Sequence, residues 1–331
     1  MRGLLILLMV NSHLGVKFPE VIGFRNFIYK LFLSEAEGFY FLSGFTVAIA
    51  YFGTPESRVI RRAFFIYTAH LICLLSYAAR VYGSGGESGE IFRTVVFGPL
   101  LLYMPNLRDL LPLYFVYFLL TPFMFRALKS GRALILLAVS FAIWGATQFF
   151  PHNWLFEKKL LFGYFNPFSW QLPFVFGVYF GWAARERRLG HFARARASAL
   201  VWTLLITVLA LLLAVRLYDG TGLEWLRAEN WSKPSLGPLR VVNAFCLFLL
   251  TAFLVSKLSV RTRFGPLDLW GRRALLVFVL HTFAVDLFSV FQETTGRYSA
   301  MSQWGLFGGT FLVLTAAAWI RERGRSAPEQ L

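Results

Sequence analysis

The sequence opens MRGLLILLMVNSHLGV, which sets His13 at the end of an apolar run, eleven positions after Arg2. Eleven residues make nearly three turns of α-helix, so the two basic side chains share one face and stand about 16 Å apart along the axis. An ionisable group at that depth in hydrocarbon is costly and counts by default as a functional candidate. Burial favours the neutral imidazole, which is the form a general base requires. The structural alternative for His13 is a ring hydrogen-bonded to a neighbouring helix. Asn11 and Ser12 interrupt the same run and are candidates to line a substrate cavity beside it.

A second group lies in SEAEGFYFLSGF, residues 34–45. Ser34 and Glu37 fit a capping box at a helix start, and Gly38 and Gly44 suit close helix approach. If this helix packs beside the first, Glu37 and His13 both face an outward-opening cavity, where the carboxylate orients an imidazole or binds an acceptor hydroxyl. Arg58, Arg61 and Arg62 come next, in ESRVIRRAFFIYTAH. They read as topology charge or as phosphate ligands at the inner mouth of the site. His70 and His281 are either further polar groups in the cavity or interhelical hydrogen bonds. In FNPFSWQLPFVFG, Asn166-Pro167 marks a turn, Trp170 suits an interfacial anchor, and Gln171 either contacts ligand or bridges helices.

These residues need membrane helices to position them. Hydrophobic residues are 57% of the 331 and charged residues only 15%, which excludes an ordinary soluble domain. A spanning helix takes about 20 mostly apolar residues, and ten ranges qualify: 2–16, 37–53, 62–80, 110–128, 132–150, 168–184, 198–217, 239–257, 273–291 and 303–320. The stretch 95–105 is too short to span and reads as interfacial or re-entrant. The fold expected is an all-α polytopic integral membrane protein of about ten transmembrane helices, with 1–320 as one domain and 321–331 as a short basic cytoplasmic tail.

Loop charge agrees with that count. Arg58, Arg61, Arg62, Arg126, Lys129, Arg132, Arg185, Arg187, Arg188, Arg194, Arg196, Lys257, Arg261, Arg263, Arg272 and Arg273 fall on one side, with Arg2 and the Arg321 tail. The other side receives Glu20, Glu35, Glu37, Glu87, Glu90, Asp109, Glu157, Asp219, Glu224, Glu229 and Glu293. Both termini are therefore expected in the cytoplasm. The net charge of +16 reflects topology rather than nucleic-acid binding. A cleaved signal peptide is the alternative for the first helix, but no small-x-small site comes after it and Asn11-Ser12-His13 breaks the run. Cys73 and Cys246 each sit inside an apolar stretch, so neither a metal site nor a disulfide is expected and both read as core.

With these stretches in order, the sequence resembles the membrane-bound acyltransferase-3 superfamily, and within it the OpgC-type branch that succinylates periplasmic glucans. The segments that carry the resemblance are RGLLILLMVNSH, an R-x10-H motif; AEGFYFLSGF; the arginines before FFIYTAHL; LPLYFVYFLLTPFMF; FNPFSWQLPFVFG; and LVFVLH, spread from residue 2 to 281. The resemblance implies an acyl-CoA-dependent O-acyltransferase of the bacterial inner membrane. It would move a succinyl or acetyl group from cytoplasmic succinyl-CoA or acetyl-CoA to hydroxyls of a cell-envelope glycan, with no permanently bound cofactor. His13 matches the catalytic histidine, Arg2 the motif arginine that helps to position the donor, and Glu37 the acidic residue of the AEGF segment. The family often carries an Asp just before the Arg-Gly pair, where this chain has Met1. The competing class is a glycan or lipid transporter, whose internal repeats and paired broken helices are not evident in the sequence.

Overall fold

The computed structural model describes residues 2–15, 17–18, 20–21, 35–105, 107–149, 164–186, 205–212, 214, 231–258, 265–295 and 299–326. The regular elements among them are all helical: α1 (Arg2–Gly15), α2 (Glu35–Tyr51), α3 (Glu56–Gly83), α4 (Ser88–Phe92), α5 (Leu110–Lys129), α6 (Ala133–Phe149), α7 (Pro167–Arg185), α8 (Pro238–Leu258), α9 (Gly265–Arg272), α10 (Ala274–Thr295) and α11 (Ala300–Ser326). Nine of the ten apolar ranges coincide with one of these helices. Of the remaining range, 198–217, residues 205–212 are helical and most of the rest lie outside the described residues.

Length and hydropathy together mark four of them as able to cross a membrane: Glu56–Gly83, Leu110–Lys129, Ala274–Glu293 and Met301–Arg323. At 1.5 Å per residue, the 14 residues of α1 reach only about 21 Å, short of a hydrocarbon layer of about 30 Å. The stretch 95–105 forms no spanning helix: a five-residue π turn, Arg93–Phe97, comes after α4 and gives way to irregular chain. The short helix α9, before α10, was not anticipated. It carries Arg272 in its last turn, a residue read from sequence as loop charge.

The chain divides into two compact units. The first comprises Met1–Glu35, Ala69–Leu100 and Val260–Leu331; the second comprises Ala36–Thr68 and Leu101–Ser259. In the first unit α1 packs on α9 and α10, and α11 packs on the same two helices. Gly3 fixes the α1–α9 approach, because a Cβ there would collide with the Leu267 carbonyl. Gly271 meets the other side of the same contact, its added Cβ falling 3.1 Å from the Gly3 nitrogen. Ile6, Val10 and Leu14 turn into the core of this unit with Val277, Phe278 and Val285. An ion cluster ties α9 to α11: Arg272 reaches Asp268 at 2.6 Å and Glu322 at 3.1 Å, and Arg273 reaches Glu322 at 2.6 Å.

In the second unit α7 packs against α5 and α6, and its glycines bring it against α2. A Cβ on Gly177 or Gly181 would strike the carbonyl of Phe41 or Phe45, and one on Gly44 the carbonyl of Phe174. Without a hydrophobic effect to drive association in lipid, such small-residue contacts let two backbones gain dispersion attraction at close range. Between them lies an aromatic core of Tyr40, Tyr114, Tyr117, Trp170 and Phe174, with ring centroids 4.7–5.9 Å apart.

Candidate active site

α1 is built mainly of Leu, with Met9, residues that lose little rotamer freedom in a helix. It delivers its polar triplet at the C-terminal end. Asn11 and Ser12 are buried and His13 is half-buried. The Asn11 Oδ1 atom is enclosed without a hydrogen-bond partner among the described residues. His13 meets a residue 268 positions away: its Nδ1 lies 2.9 Å from Nε2 of His281 on α10, and the two rings lie edge to edge and nearly coplanar, with centroids 5.2 Å apart and planes 21° apart. His281 is fully buried and receives the edge of Phe278 on its own helix, centroids 5.1 Å apart. The structure thus joins His13 and His281, which the sequence ranked as separate candidates.

From His281 a polar seam continues between α10 and the first-unit half of α3. Cys73 Sγ and the Thr282 hydroxyl are 3.5 Å apart, and the Ser76 hydroxyl donates to Asp286 Oδ2 at 2.6 Å. Farther on, Arg80 donates to Glu293 at 3.2 Å and stands over the Tyr77 ring, while the Tyr77 hydroxyl donates to Glu90. His70 is fully buried on the same half of α3. Asp286 was missed, although an acid inside LVFVLHTFAVD is as conspicuous in an apolar run as the histidine five residues before it.

Glu37 belongs to the second unit, and there it is ion-paired with Arg240 of α8. Both side chains are almost wholly enclosed. The structure therefore gives this carboxylate a cation as partner, where sequence reasoning offered an imidazole, an acceptor hydroxyl or a cap. Ser34, the other half of the expected capping box, lies outside the described residues. Arg240 was not singled out; the signal was an arginine in the first turn of an apolar helix, away from the arginine-rich loops.

The remaining candidates separate clearly. Arg58 and Arg61 are exposed on α3, whereas Arg62 is half-buried with its guanidinium over Phe65 at 5.1 Å. Arg2 is half-buried at the α9 end of α1. Asn166 caps α7, its side chain accepting from the Phe168 N–H at 3.0 Å with Pro167 at the first helical position. Trp170 corrects an expectation: it is not an interfacial anchor but fully buried, donating through Nε1 to the Lys233 and Pro234 carbonyls at 3.0 Å each. Gln171 bridges helices, accepting from Ser140 Oγ at 2.6 Å and donating to the Ser140 carbonyl at 2.8 Å. Cys73 is core as expected, while Cys246 is only partly buried.

At the start of α5, Asp109 is buried, and loss of solvent pushes its carboxyl up to about 6. The Tyr164 N–H, which donates to it at 3.1 Å, and the charges of Lys233 and Arg108 act in the opposite direction.

Taken together, the first unit presents a half-buried histidine held by a second, buried histidine beneath a seam of hydroxyls and carboxylates. Such a pair can take a proton from a hydroxyl and return it. The OpgC protein family matches residues 1–86 and 88–326. The chain belongs to that family. OpgC proteins are associated with modification of osmoregulated periplasmic glucans and are in general acyltransferase-type enzymes. The several apolar helices of this OpgC chain fit a multi-pass membrane protein. No curated protein and no solved structure matches it.

Proposed function

We propose that this protein is an acyl-CoA-dependent O-acyltransferase of the bacterial inner membrane, of the acyltransferase-3 type. It transfers succinyl, or alternatively acetyl, from cytoplasmic acyl-CoA to a hydroxyl of a periplasmic glucan. About ten spans with both termini in the cytoplasm are part of this reading. The single observation that carries it is the placement of His13: the histidine of R-x10-H, half-buried on α1 in a chain that the OpgC family matches almost from end to end.

In the mechanism, Arg2 lies on the helix face that carries His13 and helps to position the donor, whose thioester reaches along that face. In the second unit, exposed Arg58 and Arg61, with Arg62, offer guanidinium groups of the kind that bind phosphates. His13 takes the proton as the sugar oxygen attacks the thioester carbonyl. A C–O bond forms, the C–S bond breaks, and His13 returns the proton to the departing sulfur. No net proton is consumed. Glu37, committed to Arg240, is assigned no proton transfer.

The test is mass spectrometry of envelope glucans from cells carrying the intact gene, a deletion, or His13→Ala at matched expression. The expected result is an acyl mass increment that disappears in both the deletion and the variant, its size identifying the group. Glucans that stay acylated while changing in amount or location would overturn the enzyme reading in favour of a transporter.

A further inference from the structure

We infer that His281 is the positioning residue of the reaction: it holds His13 as the tautomer protonated on Nδ1 and so makes Nε2 the basic nitrogen. The inference rests on the proposed role of His13 and adds a role for the second histidine.

Two neutral imidazoles joined through Nδ1 of one and Nε2 of the other share one proton in the link. If that proton sits on His13 Nδ1, the His13 lone pair is on Nε2, where it can accept from a hydroxyl. The opposite arrangement leaves His13 with an N–H at Nε2 and unable to act as base. A partner that accepts from Nδ1–H therefore sets the competent tautomer, and it accepts more strongly once His13 has become an imidazolium.

The surroundings decide which ring plays which part. His281 is fully enclosed, set edge to edge with His13 and in T-shaped contact with Phe278, so its orientation is fixed by packing. His13 is half-buried, so of the two rings it is the one that substrate can approach. The 2.9 Å separation is an ordinary hydrogen bond and gives the ring on α1 a defined direction. The proton abstracted from the sugar goes to His13 Nε2 and from there to the thioester sulfur, while the proton in the link remains between the rings throughout. Neither ring gains or loses a proton over a full cycle.

A purely structural contact would serve the same two helices by ring packing alone, and two variants separate the roles. His281→Phe keeps an aromatic ring in the same enclosed position and removes the acceptor; His281→Gln loses the ring but places an amide oxygen within reach of Nδ1–H. Each is purified as full-length protein and reconstituted with isolated periplasmic glucans, using whichever of succinyl-CoA and acetyl-CoA the intact enzyme turns over. His13→Ala is assayed beside them, and size-exclusion profiles confirm folding.

The expected result is that His281→Phe loses about 10–100-fold in kcat with little change in KM for the donor, taking as scale the cost of removing the hydrogen-bond partner that orients a metal-ligating histidine. His281→Gln should retain most of kcat and the acid limb of the intact enzyme's pH profile. The inference is overturned if His281→Phe turns over like the intact enzyme, or if His281→Gln falls as far as His281→Phe. An active His13→Ala, or an intact enzyme that uses neither donor, would instead remove the reading of His13 as base, and the inference with it.

Discussion

A buried charge is stable only beside its partner, and Glu37 with Arg240 is such a pair. Both side chains are nearly inaccessible, so Arg240→Ala leaves a carboxylate that water cannot reach. Breaking such a pair typically costs about 3–5 kcal/mol, whereas replacing both members with apolar residues of similar volume is often neutral. Thermal unfolding in detergent should show a marked drop for Arg240→Ala and a much smaller one for Glu37→Leu with Arg240→Met. Asp109 gives the opposite kind of residue effect. Its carboxyl is held at about 6, above an ordinary value of 3.8, so between those pH values the folded chain binds more protons than the unfolded one. Stability from this group is therefore greatest below about pH 4 and is lost as pH rises through 6. Asp109→Asn should flatten that part of a melting-temperature profile, while the intact protein keeps the slope.

At the scale of elements, glycine positions decide which helices meet. Gly3 lets the backbone of α1 touch α9 at the Leu267 carbonyl, and α1 carries both Arg2 and His13. Gly3→Ala should displace the N-terminal end of α1. The expected outcome is lost glucan acylation at reduced but measurable protein yield, read by mass spectrometry beside an immunoblot of membranes. Gly177 and Gly181 are interior to α7, and each faces a carbonyl of α2. Gly181→Leu inserts four carbons where one already collides, so α2 and α7 must separate. Its melting temperature in detergent should fall well below that of Gly305→Ala, where nothing lies within 4 Å of an added Cβ.

The whole molecule raises the question of sidedness. Arginine clusters and acidic residues alternate along the sequence, and that alternation orients the proposed transfer from cytoplasmic donor to periplasmic acceptor. Reporter fusions after Arg132 should report cytoplasm, and fusions after Glu90 should report periplasm. The reverse pattern at either position would break the ten-span arrangement.

What the sequence determined by itself is what depends on local pattern. Apolar windows of helical length announced the helices, because each must satisfy its backbone internally in lipid. The Asn-Ser-His triplet announced a candidate because polar side chains in such a window are expensive. Asp286 and Arg240 lie inside apolar windows and are legible by the same rule. Only the tertiary structure decided the partners. His13 and His281 are 268 residues apart, and Glu37 and Arg240 are 203 apart. No spacing rule connects positions at such distances, because the contact is made by two helices packing side by side. Trp170 makes the same point, since the backbone carbonyls of Lys233 and Pro234 that satisfy its indole exist only once that turn has folded over α7.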